Sequence, residues 1–270
     1  MQIIHSPKHV AHEGGMELHR GALVPCFEMP ARADYILRAV KAAGFSLSEP
    51  QSFSLETLFR VHDGAFVEFL RTAHDAWRAE GREGFMLPGV FPARGMRRDR
   101  IPESLHGRMG YYTFDASTPI VKGTWEAALA AAECALTAAA QLVEGRRSSY
   151  ALCRPPGHHA GRAMYGGYCF LNNAALAAQY LRDNGFGKVA VLDVDYHHGN
   201  GTQEFFEERK FVFTSSIHGD PNVEYPYYWG YAEETGVGQG EGTNLNLPLP
   251  LGSGGEAYLG AVDQFLEAME

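Results

Sequence analysis

Lys188-Val189-Ala190-Val191-Leu192-Asp193-Val194-Asp195 is the stretch on which the fold turns. Its near-continuous apolar, β-rich run is what a strand buried in a parallel sheet requires. Phe211 to His218, FVFTSSIH, reads as the next strand, and Ser149 to Cys153 as a short one upstream. Between the two earlier strands, a helix from about Asn172 to Asn184 stops at Gly185, where a C′ glycine is expected. Strand, helix and strand between 149 and 195 predict a right-handed βαβ crossover. Further out, Pro30 opens a helical stretch, Ala31 to Ala43, that Gly44 closes. Thr124 is placed to cap an alanine-rich helix, Trp125 to Val143, ending before Gly145. This alternation predicts an α/β fold in a single domain, residues 1–270. Two regions break the pattern. Gly81 to Gly110 is rich in Gly, Pro and Arg and reads as a long loop or arm, and Asp220 to Gly255 reads similarly. The chain ends inside an apparent helix, GGEAYLGAVDQFLEAME.

With 45% hydrophobic and 20% charged residues among 270, a substantial core is available and a disordered chain is excluded. No apolar run approaches the ~20 residues of a membrane span, and MQIIHSPKHV lacks a signal-peptide core, so no membrane and a cytoplasmic location are expected. Lys plus Arg number 23 against 32 Asp plus Glu, a net charge of −9. That balance disfavours nucleic acid and is compatible with a cationic small molecule. Four cysteines without CxxC spacing indicate neither a zinc ribbon nor a disulfide framework. Twelve histidines are the unusual count, and several stand in pairs.

The strongest chemical signal follows the deciding strand: Leu192-Asp193-Val194-Asp195-Tyr196-His197-His198-Gly199-Asn200-Gly201. Period-2 alternation puts Asp193, Asp195 and His197 on one side of an extended chain. A carboxylate and an imidazole thus converge at the carboxyl end of a strand, where open α/β sheets place ligands. Both are good zinc donors. The second signal is Arg154-Pro155-Pro156-Gly157-His158-His159-Ala160-Gly161, a rigid lead-in that presents adjacent histidines. Such a pair can hold one neutral imidazole as base and one charged partner as acid or electrostatic support. The third is Gly166-Gly167-Tyr168-Cys169-Phe170-Leu171-Asn172-Asn173, whose glycines permit close backbone approach and whose Tyr168 suits a pocket wall. Cys169 reads as a buried structural thiol. Ser215, Ser216 and His218 either give oxygens to a cation or simply finish their strand.

Together these segments resemble the zinc-dependent histone deacetylase superfamily, and its bacterial acetylpolyamine amidohydrolase group most closely. Beyond RPPGHHA, GGYCFLNN and DVDYHHGNGTQ, the shared stretches include ELHRGALVPCFEMPARADYIL, LFRVHDGAF, the GYY of 110–112, GTWEAAL and YAEETG. The resemblance implies a three-layer α/β/α, arginase-like fold with a mostly parallel sheet. It matches Asp195 and His197 to two zinc ligands and His158 and His159 to the histidines bracketing the attacking water, with His159 as general base. Asp193 is matched to the carboxylate that orients His158, and Asn200 to the group that orients the second histidine. Asp193, Asp195, His197, Ser216 and Ile217 match a structural potassium site that uses backbone carbonyls as well as side chains. Tyr168 and Tyr225 match aromatic walls of a substrate tunnel, and the 81–110 stretch matches a loop through which relatives form homodimers.

The implied reaction is deacetylation of acetylpolyamines or acetyl-lysine-like amines. His106 and Ser117 stand where polyamine-specific relatives carry acids, which leaves the choice of amine open. The family's second Asp zinc ligand and its Gly-Gly-Tyr segment have no counterpart after YAEETG. The chain is therefore expected to be a truncated form of a longer deacetylase, and a non-catalytic acylamine-binding module is the alternative.

Overall fold

The computed structural model describes residues 1–269, which fall into two compact units, residues 1–180 and Leu181 onward. The first contains β1 (Gln2–His5), β2 (Met16–His19), β3 (Ala22–Pro25), α1 (Ala31–Ala42), β4 (Ser46–Ser48), α2 (Leu55–Leu58), α3 (Gly64–Ala79), α4 (Leu105–Tyr111), α5 (Thr124–Val143) and β5 (Tyr150–Leu152). The division falls within α6 (Asn173–Asp183). The second unit continues with β6 (Val189–Asp193), α7 (Asn200–Phe206), β7 (Val212–Gly219), β8 (Asn244–Leu249) and α8 (Gly255–Ala268).

In the first unit β1 lies between β4 and β5, parallel to both, with Ile3 opposite Leu47 and Tyr150. Ile3 and Ile4 are buried, and β2 and β3 form a separate antiparallel hairpin. α3 buries Phe66, Val67, Phe69, Leu70 and Ala73, the i, i+3, i+4, i+7 stripe of an amphipathic helix. Its first amides are held by Asp63, whose Oδ1 accepts from Ala65 N at 2.8 Å and Phe66 N at 3.2 Å. The alanines of α5 let it pack closely on β1 and β5. Thr124 is not the cap of α5. Gly123 occupies that position, because a Cβ there would stand 2.1 Å from the Ala11 carbonyl oxygen. Thr124 is instead the first helical residue, and its Oγ1 accepts from Val121 N and meets His12 Nδ1 at 3.0 Å. By length and composition α5 does reach what a membrane span needs, correcting the sequence reading, but 67% of its apolar window is buried inside the protein, as in a core helix.

In the second unit β7 is central, parallel to β6 and β8, with Asp193 opposite Ser216 and Ser216 opposite Asn246. Ile217, Leu247 and Ala261 form its apolar centre, with Leu192, Leu245, Leu249 and Tyr258 packed against it. Gly185 takes φ +96° after α6, the left-handed conformation a C′ glycine permits.

Three expectations need revision. β6 forms where predicted but is half-buried rather than buried, with Ala190 exposed, since among the described pairings only β7 flanks it. The crossover predicted between 149 and 195 is not seen as one hydrogen-bonded pair among the described strands: β5 bonds to β1 and β6 to β7, and β6–α7–β7 is one parallel βαβ unit that is seen. Both irregular regions contain structure. The 81–110 stretch ends in α4, where Ser104 Oγ caps Gly107 N and Leu105 and Met109 are buried. The 220–255 stretch contains β8.

Candidate active site

In the first unit the Arg154–Gly161 loop leaves β5 and presents the two histidines. Adjacent side chains ordinarily diverge, yet the His158 and His159 rings lie 4.0 Å apart, tilted by 46°. His159 is buried and His158 half-buried. The loop is anchored at its start by buried Arg154, whose Nε donates to Glu28 Oε1 at 2.9 Å and whose Nη2 donates to the His12 carbonyl at 2.7 Å. Packing fixes the rest: a Cβ on Gly167 would sit 2.1 Å from His159 Cδ2, so the Gly166–Tyr168 turn lies directly on that imidazole.

Tyr168 itself takes φ +66°, and its neighbours hold that conformation. Its amide donates to Thr118 Oγ1 at 2.9 Å, and Gly167 N donates to Asp115 Oδ2 at 2.6 Å. The Tyr168 hydroxyl donates to Glu17 Oε1 at 2.9 Å. Glu17 is fully buried, and that burial raises its pKa, opposed by the Tyr168 O–H and Phe27 N–H donors. Burial also raises the Tyr168 phenol. Asp115 is occupied in this loop, accepting also from Ser117 N and Thr118 Oγ1. His106 is on α4 and exposed, stacked on Trp77 at 6.1 Å with Arg82 Nη1 3.2 Å from its Nε2. Cys169 is buried, as read.

In the second unit the strand ends at Asp193, so strand alternation is not what orders the Asp-x-Asp-x-His run. Two successive carboxylate-to-amide turns do that: Asp193 Oδ1 accepts from Asp195 N at 3.0 Å, and Asp195 Oδ1 from His197 N at 2.8 Å. The result still brings the expected donors together. His197 Nδ1 lies 3.7 Å from Asp195 Oδ1. Donors on one edge of a zinc tetrahedron with bonds of about 2.0–2.2 Å are roughly 3.3–3.6 Å apart, so the pair stands slightly wider than such an edge. Among the described residues no group of three His, Cys, Asp or Glu side chains is gathered at metal-binding spacing. Tyr225 packs edge-on against the His197 ring at 5.7 Å.

Asp193 and Ser216 border a polar cavity of about 10 Å3, room for one water-sized species. Ser216 Oγ lies 2.9 Å from His218 Nδ1, while His218 Nε2 faces the Gly230 carbonyl at 2.8 Å. Burial lowers the His218 pKa. The Ile217 side chain is buried in the apolar centre. Asn200 is buried as the first residue of α7. A cavity of about 680 Å3 lies elsewhere in the first unit, bordered by Glu13, His74, Asp75, Arg78 and Lys122 and by no candidate site residue.

Comparison with known proteins decides the family. The histone deacetylase domain model matches residues 26–270. The chain belongs to the histone deacetylase family. It is 52% identical to acetylpolyamine amidohydrolase 1 of Pseudomonas aeruginosa over 265 residues, which are 97% of this chain and 77% of that protein. The acetylpolyamine amidohydrolase of Mycoplana ramosa is 50% identical over 88% of this chain and 70% of its own length. The crystal structure of acetylpolyamine aminohydrolase from Burkholderia pseudomallei superimposes with a TM-score of 0.94 at 39% identity, over 100% of this chain and 78% of that one. The chain thus has the α/β, mostly parallel-sheet, arginase-like fold of a deacetylase, and it is an enzyme of an amide-hydrolysing family. That family is in general zinc-dependent.

Several structural partners were not singled out from sequence. Glu17 and His62 sit in stretches whose likeness to the deacetylases is evident, but nothing in ELHRGALV or LFRVHDGAF signals that one bonds Tyr168 and the other the His159 loop.

Proposed function

We propose that this deacetylase-family chain is a zinc amidohydrolase that removes acetyl groups from N-acetylated amines, with acetylpolyamines, the substrates named for its relatives, as the first class to test. The observation that carries the reading is the pair of adjacent imidazoles 4.0 Å apart on an anchored loop. Asp195 and His197 would hold the zinc. What a bound zinc supplies is polarisation of the acyl carbonyl and a lowered pKa for its water. His159 accepts the proton of the attacking water as the amide carbon is attacked. A protonated histidine of the pair then donates to the departing amine nitrogen, releasing acetate and a free amine. Asp193 and Asn200 orient the two imidazoles, and Tyr168 and Tyr225 flank the acylated chain. Asp193, Asp195, His197, Ser216 and Ile217, through side chains and backbone carbonyls, would hold a structural potassium, whose hard-cation chemistry suits oxygen donors.

A second reading has one observation in its favour. Catalytic zinc ordinarily has three protein ligands, and Asp195 and His197 are two. On that reading the chain docks acylamines without turning them over. Acetate release from acetylated diamines, polyamines and acetyl-lysine peptides, with zinc supplied and with a chelated control, separates the two. His159→Ala is expected to abolish turnover while zinc stays bound, and Asp195→Ala to lose the zinc. Near-normal acetate release from His159→Ala would sink the base assignment, and a full equivalent of zinc on Asp195→Ala would sink the ligand assignment.

A further inference from the structure

Three successive carbonyls follow His159, and each is held by a donor from a distant part of the first unit. Asn172 Nδ2 donates to the Ala160 oxygen at 3.0 Å, His62 Nδ1 to that of Gly161 at 2.9 Å, and Asp63 N to that of Arg162 at 2.8 Å. The other ring nitrogen of His62, Nε2, lies 2.9 Å from the backbone N of Asn172. These partners fix the state of the imidazole. A carbonyl only accepts, so Nδ1 carries the hydrogen; an amide N–H only donates, so Nε2 is bare. His62 is therefore one neutral tautomer, with a donor aimed at one loop and an acceptor at another.

The two segments it joins flank His159. Gly161 lies two residues beyond the tandem histidines, and Asn172, at the start of α6, lies three residues beyond the Gly166–Cys169 turn whose Gly167 abuts the His159 ring. The setting is rigid and dry: His62 is 1% exposed, with the Phe66 ring 5.7 Å away. Burial drives its pKa down to about 4, so the neutral form persists across the physiological range.

We propose that His62 is a positioning residue for the tandem histidines: as a fixed neutral tautomer it ties the Gly161 carbonyl to the Asn172 amide and so sets the angle at which His159 meets a water. The inference rests on the reading of His159 as the base. It differs from a plain core role in what should change. Loss of packing lowers stability, whereas a misaimed base lowers kcat with substrate binding retained.

The test compares His62→Gln, whose amide keeps one donor and one acceptor, with His62→Leu, which keeps neither. Both are measured for kcat, KM, zinc content and melting temperature, alongside wild type. The expected result is a folded Leu variant with kcat reduced roughly tenfold to a hundredfold at little-changed KM, and substantial recovery in the Gln variant. A folded Leu variant with wild-type kcat, or a Gln variant no better than Leu, overturns the proposal. Should Leu not fold, His62→Asn takes its place, since its amide is too short to reach both partners; equal kcat for Asn and Gln then overturns it. The imidazole 15N–1H signals of His159 give a reading independent of turnover. They are expected to move or broaden in the Leu or Asn variant and to hold in Gln, and unchanged signals overturn the clamp even if wild type is inactive. An inactive wild type, by contrast, sinks the amidohydrolase reading.

Discussion

His12 and His62 are buried as neutral imidazoles, with pKa values pushed by burial to about 3 and about 4 from the usual 6.5. Above pH 6.5 both are uncharged in the folded and the unfolded chain and cost nothing. As pH falls below 6.5 the unfolded chain takes up protons that the folded chain refuses. Stability is then lost toward the folded values, by up to about 1.4 kcal/mol per pH unit for each group. Glu17 and Glu28, raised by burial, act in the opposite sense and stabilise the fold as it protonates them. The clean measurement is therefore a difference. Urea unfolding between pH 7 and pH 5 is expected to show wild type losing stability more steeply than His62→Gln, by about one proton's worth of slope. Parallel curves would mean that His62 titrates normally in the folded chain. At this scale the sequence displays the proposed reacting groups better than their supports. The tandem His158–His159 and the Asp195–His197 pair stand out because each is local in the chain. The groups that fix their surroundings, Glu17 on Tyr168 and His62 on Gly161, lie many residues away and carry no spacing signal.

At the scale of elements, the meeting of α5 with the N-terminal 3-10 turn, Pro7–Ala11, is a tight one. At Gly123, the N-cap of α5, an alanine Cβ would lie 2.1 Å from the Ala11 oxygen and 2.6 Å from the Ala11 Cβ. Gly123→Ala is expected to destabilise by about 1–3 kcal/mol, the usual range for overpacking, read as a lower denaturation midpoint at unchanged slope. An unchanged midpoint would show that the turn yields freely. The elements legible in the sequence are those with local marks: α1 between Pro30 and Gly44, α6 before Gly185, and β7 in its β-rich FVFTSSIH run. β8 lies in a Gly- and Pro-rich stretch that reads as a loop, although NLNLPL alternates. Leu245, Leu247 and Leu249 pack on the apolar centre, while Asn244 and Asn246 both donate to Gln203 Oε1, at 3.1 and 2.9 Å. α4 was hidden for a related reason, its Leu105 and Met109 being embedded in an arginine-rich, glycine-rich stretch.

For the whole molecule the decisive quantity is charge. The side chains nearest to a role in choosing the amine do not form an acidic pocket: Asp115 spends its oxygens on Gly167, Ser117 and Thr118, and His106 is stacked on Trp77 beside Arg82. On the proposed reading, preference for a polycation draws on the field of 32 acidic against 23 basic side chains, net −9. A field of that kind concentrates cationic substrate and speeds encounter, and salt removes it over a Debye length of about 10 Å at 0.1 M. The kcat/KM for an acetylated tetraamine is therefore expected to fall severalfold between about 0.02 M and about 0.3 M salt, while that for an uncharged acylamine stays nearly level. The loss should lie in kcat/KM and leave kcat at saturation unchanged, because screening acts on the approach of the substrate and not on the proton transfers of His159. Equal salt dependence for the two substrates would place recognition in short-range contacts after all, and the exposed face of His106 is the first position at which to look for them.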